Sequence, residues 1–433
     1  MLYTFIGCAD AFISYFAHPS GANRAFWYLH SAISIVNKRL AKATVTAIAS
    51  RSCISSGTLV LVSGLAMFER SNGRNDHWEM HMQGLKELVQ YYGGLESLYT
   101  QPGILQKIFR ADLYGSLDDD VPPYFDAHDL CIRLAEAVPA DIFFHNNADV
   151  DTDTQTALRS AGLKRLTPYL HPTLVRCAHQ LEEAVVSWDN MGGFEASEVT
   201  APEAAASAES VISIAATPIA TNRTTITRRP SVAAAMQMRY RLTGIQYMLV
   251  SSVLRQKLAS VVKARDRRLG EMVRTSLVLF SLSILKERPM DTTYALKLVA
   301  KLKGILEEEA LAVATEIEAS TEISIPVDLQ LWAIFLAASV TYGGTRWPDK
   351  TRDNDETNWI LDAFTSRLTT SEYSSSNSNG NATGADYKVK ARLCQYLWVP
   401  CIHDKLFQRM WYVATTSTGA RVTELGTAHE VED

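Results

Sequence analysis

Apolar residues recur at intervals of three and four along most of this 433-residue chain, and this spacing constrains the fold more than any other feature. One such series consists of Trp78, Met82, Leu85, Val89 and Tyr92. The spacing places apolar side chains on one face of an α-helix. Sustained alternation with a period of two, which is typical of half-buried strands, is hard to find. The sequence therefore predicts an all-α protein with about a dozen helices or more.

Two segments, Met272–Leu285 and Leu331–Val340, are apolar on nearly every side. A helix with this character is buried in the centre of a protein or spans a membrane. A membrane span needs about 20 consecutive apolar residues. The runs Leu59–Phe68 and Leu331–Val340 are shorter than that. We therefore expect central, buried helices and no membrane association.

Two parts of the chain lack large apolar residues. The first is rich in Ala, Ser and Thr, and the second contains a run of serines. Such segments bury too little apolar surface to offset the entropy lost on ordering. We therefore expect one large helical domain divided as follows: an N-terminal part (1–194), a flexible insert near the middle (195–235), a C-terminal part (236–415) with a flexible loop (371–384), and a frayed tail (416–433).

The net charge and the cysteines argue against two classes of protein, strong phosphate binders and disulfide-stabilised proteins. The net charge is −5, whereas strong phosphate binding usually accompanies a basic balance. The six cysteines are scattered and form no C-x-x-C pair. They predict reduced thiols, mostly buried, in the cytosol or nucleus, rather than a disulfide framework.

One stretch of the N-terminal part has clear signals for helix starts and stops. Asp76 followed by Glu79 has the spacing of a capping box, which predicts a helix start. Gly93 and Gly94 predict the end of that helix, because glycine accepts the left-handed conformation of a helix stop. A second helix is expected from about Pro102, since proline is favourable in the first turn.

The same stretch contains a Trp, a His-x-x-Gly, a Gly-Gly stop, an Arg-Ala-Asp-x-x-Gly and a proline-containing loop, in that order. The residues are Trp78, His81, Gly84, Gly93, Gly94, Arg110, Asp112, Gly115 and Pro122. This order resembles the fungal-specific transcription factor domain, the regulatory region of Zn2Cys6 zinc-cluster transcription factors. The segments LWAIFLAASV (331–340) and YLWVP (396–400) are similar to the late core helix and the C-terminal end of that family.

The resemblance implies an all-helical regulator of transcription in a fungal nucleus, with other transcription regulators or co-regulators as partners. The sequence departs from the family in having no six-cysteine zinc cluster. Either the protein lacks this DNA-binding module or the chain begins after it. DNA contact is therefore expected only indirectly or through a missing N-terminal module. Zinc is expected only if such an upstream cluster exists, and no other cofactor is expected.

We expect Arg110 and Asp112 to have a structural role, with a charged pair near a helix end that holds a neighbouring helix. The alternative is a polar cluster that faces a ligand. Gly84, inside a predicted helix, is expected to permit the close approach of two helices, because glycine there costs about 1 kcal/mol relative to alanine.

Two patterns resemble metal-binding motifs in part. His77 and His81 lie one helical turn apart, as two zinc ligands could. A zinc protease, however, has Glu directly after the first His, whereas Glu79 is two residues after His77. Asp118–Asp120 resembles the metal motif of all-helical terpene synthases, but it precedes two prolines and is expected in a loop. We predict no catalytic and no metal-binding residue. An all-α, terpenoid-type small-molecule enzyme and a stand-alone protein-interaction adaptor remain as alternatives.

Aromatic residues suggest where a small-molecule effector could bind. Grooves between helices are commonly lined by aromatic side chains. The candidates are Trp27, Tyr28, Trp332, Phe335 and Trp398. The other interpretation of these residues is that they simply form the core.

The segment 223–274 contains twelve Arg and Lys residues against Asp266 and Glu271. It predicts either a solvated face with a basic loop, or an import signal or contact for an acidic partner. Ser231 follows two arginines and a proline, as in sites for basophilic kinases. We expect it as a possible phosphosite, where added phosphate would reduce the local positive charge.

Overall fold

The structure is a computed structural model that describes residues 55–137, 159–190, 231–285, 296–315, 324–342, 355–370 and 385–427, with the isolated positions 31, 34 and 38. These ranges contain fourteen α-helices, two short 3-10 helices and no strand. The prediction of an all-α protein is confirmed. Within the same ranges, no helix is both long enough and apolar enough to cross a bilayer.

The α-helices, in chain order, are α1 (Ser56–Ser71), α2 (Asn75–Tyr92), α3 (Pro102–Asp119), α4 (His128–Ala137), α5 (Ala161–Leu166), α6 (Pro172–Asn190), α7 (Val232–Val250), α8 (Ser252–Ala259), α9 (Ala264–Leu285), α10 (Leu296–Thr315), α11 (Val327–Tyr342), α12 (Asp355–Thr370), α13 (Ala385–Leu393) and α14 (Pro400–Thr427). The 3-10 helices are Leu95–Leu98 and Thr167–Tyr169.

Helix α2 ends as predicted but begins earlier. Its first residue is Asn75, so the expected N-cap at Asp76 is wrong. Asp76 instead lies in the first turn, where a carboxylate favourably faces the positive end of the helix dipole. At the other end, Gly93 (φ 112°) and Gly94 (φ 86°) have the positive backbone angles that favour glycine, which confirms the predicted stop.

Helix α3 begins at Pro102 as expected, but it continues further than the sequence suggests. It passes through Gly115 and ends at Asp119, with Asp120 in a left-handed conformation as the C-cap (φ 51°). Asp118 and Asp119 therefore lie in the last helical turn, and the prediction that the three aspartates lie in a loop is wrong. Aspartate tolerates the left-handed conformation better than most residues.

Helices α9 and α11 form the centre of one large hydrophobic cluster. The segment Leu331–Ala338 of α11 is fully buried, as are Met272 and Phe280 of α9. Helix α9 packs against α6, α7, α10 and α11, while α7 also contacts α3 and α4. The expectation of two central buried helices is confirmed, and α7 joins them to the motif helices. Cys131 and Cys177 are free and buried thiols.

Several predicted segments lie wholly or partly outside the described residues. The flexible loop 371–384 and most of the insert 195–235 are outside, as are Trp27 and Tyr28. The last residues of the insert belong to α7, which begins at Val232. At the C-terminus, α14 continues to Thr427, whereas we expected a frayed tail from residue 416.

Candidate functional site

Trp78 joins the two helices of the motif region. Its ring is buried, and its Nε1 donates a hydrogen bond to the carbonyl oxygen of Ala111 on α3 (3.0 Å). A Cβ atom added at Gly115 would lie 2.1 Å from Trp78 Cζ2. Tyr124 meets the Trp78 ring edge-on, with centroids 5.7 Å apart. The Trp78 ring on α2 therefore fits against α3 only because residue 115 is a glycine. We call this packing the Trp78–Gly115 contact.

Asp112 lies on α3, less than one turn before Gly115, and its carboxylate holds the following loop. It is fully buried, and it accepts hydrogen bonds from the backbone N–H groups of Tyr124 (2.8 Å) and Phe125 (3.1 Å). The hydroxyl of Tyr247 on α7 donates a third bond, at 3.0 Å. These contacts tie the loop and α7 to α3, whereas the predicted role of Asp112 as part of a charged pair near a helix end stays a prediction. Arg110, its neighbour in the motif, is half-buried.

Neutral donors surround the Asp112 carboxylate, and this determines its pKa. Burial raises the pKa of Asp112 to about 7, although the bonds from Tyr124, Phe125 and Tyr247 and the charge of Lys86 act in the opposite direction. The same burial, together with the charge of Asp112, raises the pKa of the Tyr247 hydroxyl. The loop is therefore held by a carboxyl group that titrates near neutral pH.

The other motif residues have separate positions. His81 is half-buried, and burial lowers its pKa. Pro122 is exposed in the loop after α3. A Cβ atom added at Gly84 would meet no heavy atom within 4 Å. The prediction that Gly84 permits a close helix approach is therefore wrong, and Gly115 has that role instead.

The histidine pair of α2 does not form part of a metal site in the structure. His77 is exposed, and its Nδ1 lies 3.4 Å from the Glu69 carboxylate of α1. Across the described ranges, no group of three or more His, Cys, Asp or Glu side chains has an arrangement that could hold a metal ion.

Ser231 is the N-cap of α7. Its Oγ accepts a hydrogen bond from the Ala234 N–H at 3.1 Å, and the side chain is exposed. A hydroxyl in this position satisfies a backbone donor that the helix itself leaves free. The predicted phosphosite therefore coincides with a helix start, where added negative charge is favourable.

A group of charged side chains from five helices meets at the end of α3, and we call it the ionic junction. Its members are Arg70 of α1, Asp119 and Asp120 at the end of α3, Arg255 of α8, Glu271 and Arg274 of α9, and Lys297 and Lys301 of α10.

Asp120 is the centre of the ionic junction. Arg274 grips it with two parallel bonds, Nη1 to Oδ1 (2.9 Å) and Nη2 to Oδ2 (2.8 Å). Arg255 Nη2 also donates to Oδ1 (2.7 Å), and Lys301 Nζ donates to Oδ2 (2.8 Å). Burial raises the pKa of Asp120, but the charges of Arg274, Lys301 and Arg255 outweigh it and lower the pKa to about 2.

Two further carboxylates extend the junction. Glu271 Oε2 lies 2.7 Å from Lys301 Nζ and 3.1 Å from Arg274 Nη2. Asp119 lies 2.7 Å from Arg70 Nη1 and 2.6 Å from Lys297 Nζ. The carboxylates thus neutralise cations of the protein itself. This arrangement joins helices rather than presenting ligands to a metal.

Sequence reasoning missed the ionic junction, although one signal was present. Arg274 lies in the apolar segment that predicted a central helix, and its side chain is 0% exposed. A buried arginine needs an acidic partner, because an unpaired buried charge costs several kcal/mol. The partner on α3 is more than a hundred residues away, so local spacing does not identify it.

Of the aromatic residues proposed to line an effector pocket, Trp332 and Phe335 lie in the core and Trp398 packs against it. Trp332 is fully buried, stacks on Tyr396 at 5.2 Å, and donates from Nε1 to the Leu397 carbonyl oxygen (3.0 Å). Phe335 stacks on Trp398 with centroids 4.7 Å apart. These rings fill space against one another, so the core interpretation holds for them.

A buried Ser–His contact near these rings has the wrong geometry for a catalytic pair. The Val399 N–H donates to His403 Nδ1 (3.0 Å), so the ring proton lies on Nε2. Nε2 is 3.3 Å from Ser283 Oγ, whose hydroxyl donates to the Phe280 carbonyl oxygen (2.8 Å). A protonated Nε2 cannot accept the serine proton. Burial lowers the pKa of His403 to about 3, which is consistent with a neutral core residue.

Comparison of the chain with protein-family models, with curated proteins and with solved structures finds no match.

Proposed function

We propose that this protein is a transcription regulator of a fungal nucleus that acts through its helical regulatory domain. The order of the motif residues supports the proposal, and one structural observation carries it. Trp78, Asp112 and Gly115, which belong to different parts of the motif, meet in one packed unit that joins α2, α3 and α7. Motif residues that pack together in one tertiary unit support membership of this family more strongly than the same residues scattered over a surface.

The ionic junction gives this domain a means to transmit a signal. Packed helices shift between discrete arrangements rather than deform continuously. Asp120 takes partners from α8, α9 and α10, so a shift of any one of these helices alters the contacts of the others. A protein or small-molecule effector that moves one helix would therefore change the surface that other regulators contact.

Contact with DNA is proposed to be indirect in this mechanism. The chain reaches promoters through partner regulators, or through a zinc-cluster module encoded upstream. Asp119 and Asp120 are held by arginine and lysine side chains, which does not favour the alternative of a terpenoid-type enzyme with metal-binding aspartates.

Chromatin occupancy and transcript levels test the proposal. A tagged chain should be found at promoters, and its deletion should change transcription of the nearby genes. The purified chain should bind DNA only weakly and with strong salt dependence. Absence from chromatin under every condition in which the protein is expressed would contradict the proposal, as would turnover of a terpenoid or ester substrate.

A matched pair of substitutions tests the role of the junction. Lys301→Gln removes contacts to Asp120 and Glu271, both closer than 3 Å. Lys303→Gln, two residues along the same helix, removes only a 3.9 Å contact to Glu307. We expect Lys301→Gln to change transcript output with promoter occupancy and protein level unchanged, and Lys303→Gln to behave as wild type. Equal transcript levels in the two variants would mean that the ionic junction does not transmit the signal.

A further inference from the structure

Part of the basic segment noted in the sequence forms a surface with an adjacent region of the chain. Residues 161–176 contain no acidic residue, and residues 251–270 contain only Asp266. Side chains at the start of α6, on α8 and at the start of α9 contribute to this surface. We call it the basic face and define it by these residues: Tyr169, His171, Arg176, Val253, Lys257, Val262, Lys263, Arg265 and Arg267.

Close packing beneath the surface brings the three helices together. A Cβ atom added at Gly270 of α9 would lie 2.9 Å from Leu258 of α8 and 4.0 Å from Leu174 of α6. The two leucines are buried. Helices α6, α8 and α9 are therefore adjacent at this point, and each presents an exposed cation, Arg176, Lys257 and Arg267 respectively.

Cations from two of these helices act on the same histidine. Burial, followed by the charges of Lys257 on α8 and Arg176 on α6, lowers the pKa of His171. Arg265 lies over the Tyr169 ring at 4.9 Å and contacts Asp266 at 3.2 Å.

The cations of the basic segment divide into two groups. Arg255 and Arg274 point into the ionic junction, and Arg268 pairs with the buried Glu309 at 3.0 Å. Lys257, Lys263 and Arg267 are exposed, and in the part of the chain that the structure describes they make no ion pair. The second group is therefore available to a partner.

Apolar side chains lie among these cations. Val262, in the turn between α8 and α9, is 95% exposed, and Val253 on α8 is 58% exposed. Exposed aliphatic residues are common one at a time. Val253 lies one turn before Lys257 on α8, and Val262 directly precedes Lys263, so apolar contact points lie beside unpaired cations.

We propose that the basic face binds an acidic segment of a partner protein that carries aliphatic side chains between its carboxylates. The carboxylates pair with Lys257, Lys263 and Arg267, and the aliphatic groups contact Val253 and Val262. Charge complementarity provides orientation and a fast encounter, while the apolar contacts provide shape-dependent affinity. The inference goes beyond the proposed function and holds whether or not the chain acts at promoters.

A nucleic acid is the other polyanion that could bind here, and the face suits it less well. Proteins that bind single strands stack bases on open aromatic rings. The only exposed aromatic ring of the basic face, Tyr169, already has Arg265 over it. The net charge of −5 also weakens attraction to a long polyanion. Exposed valines add nothing to phosphate binding.

Fluorescence anisotropy with defined probes tests the proposal. The probes are a labelled helical peptide of Glu and Leu, the same peptide with Leu replaced by Ser, and duplex and single-stranded DNA of equal formal charge. The full chain should bind the Glu/Leu peptide more tightly than the Glu/Ser peptide and than either DNA. Its affinity should fall as salt is added, because exposed charges are screened.

Charge reversal then locates the binding surface. The triple variant Lys257→Glu, Lys263→Glu and Arg267→Glu should weaken peptide binding by about tenfold or more, since three exposed attractions become repulsions. The control carries Lys107→Glu, Lys388→Glu and Arg409→Glu, which are exposed residues elsewhere with the same total charge change. This control should retain most of the wild-type affinity. The single variant Val262→Ser, which keeps the charge, should weaken binding about twofold to fivefold.

Three outcomes would overturn the inference. They are no binding of the Glu/Leu peptide by the wild type, equal weakening by the triple variant and its control, and tighter binding of DNA than of the peptide. Circular dichroism of each variant verifies folding. If the triple variant unfolds, Arg267→Glu alone against Arg409→Glu alone decides the question in the same way. Promoter occupancy is measured separately, so failure here is distinct from failure of the proposed function.

Discussion

Two aspartates of the same segment, Asp112 inside α3 and Asp120 at its C-cap, have opposite electrostatic environments. Asp112 is surrounded by neutral donors, two backbone N–H groups and the Tyr247 hydroxyl, and burial raises its pKa to about 7. The side chain of Asp120 is only 8% exposed, but Arg274, Lys301 and Arg255 outweigh the effect of burial and lower its pKa to about 2. The pKa of a buried carboxyl depends on whether its partners carry charge, and not on burial alone.

The two sites also hold the protein together in different ways. Asp112 binds a local loop and one distant helix, so its effect is to shape the end of the motif region. Asp120 binds cations from three helices that follow much later in the chain. The first site therefore depends on pH near neutrality, while the second connects the end of α3 to α8, α9 and α10 by ion pairs that persist at neutral pH.

The largest expected effect is the loss of Asp120. Asp120→Ala leaves Arg274 buried without its bidentate partner, and breaking a buried pair in this way costs about 3–5 kcal/mol. Urea unfolding at pH 7 measures the loss. The control is Asp328→Ala, whose partner Arg392 is half-exposed at 3.4 Å, and about 1 kcal/mol or less is expected there.

The double variant Asp120→Leu, Arg274→Met sharpens the same test. Removing Arg274 together with the carboxylate leaves no uncompensated buried guanidinium, while Arg255 and Lys301 lose the same partner in both variants and are partly exposed. The double variant should therefore be more stable than Asp120→Ala. Similar stability of Asp120→Ala and Asp328→Ala would show that the junction contributes no more than an ordinary surface pair.

The second effect concerns Gly115, which lies between the two aspartates. Gly115→Ala places a Cβ 2.1 Å from the buried Trp78 ring, and overpacking of this kind costs about 3 kcal/mol. Gly84→Ala is the matched control, because a Cβ there meets nothing within 4 Å. Relief of the helix-propensity penalty should stabilise that variant by up to about 1 kcal/mol. Thermal unfolding of the two variants should shift the midpoint in opposite directions, and a shift in the same direction would contradict the packing argument.

These residues show how far the sequence predicts the structure. Local rules are sufficient for the all-α fold, for the stop at Gly93 and Gly94, and for the burial of α9 and α11. They do not distinguish Gly84 from Gly115, because both lie inside helices and only the tertiary position of Trp78 separates them.

The prediction for the end of α3 is wrong for a related reason. Two prolines after the three aspartates predict a loop. In the fold, arginines and lysines from α1, α8, α9 and α10 neutralise Asp119 and Asp120. These contacts join residues that are far apart in sequence, so no local pattern contains them.

The smallest expected effect is the pH dependence of the unfolding free energy that Asp112 causes. It is also the most direct test of the difference between Asp112 and Asp120. The unfolded pKa of aspartate is about 3.9. A folded pKa of about 7 means that the folded state holds the proton more tightly. The stability contributed by this group is therefore fully present below about pH 3.9 and is lost as the pH rises through 7. Asp120 has the opposite sign, since its contribution is lost only as the pH falls below about 4 towards 2.

Because the two windows do not overlap, unfolding free energies between pH 5 and pH 6 report on Asp112. Wild-type stability should fall relative to Asp112→Asn by about 1 kcal/mol across that unit, whatever the asparagine costs in lost hydrogen bonds. Tyr247→Phe removes a hydrogen bond that lowers the Asp112 pKa. In this variant the fall of the unfolding free energy with pH should therefore extend to higher pH than in the wild type. A wild type and an Asp112→Asn variant with parallel profiles from pH 4 to pH 7 would mean that Asp112 titrates normally. The environment of neutral donors would then not distinguish it from Asp120.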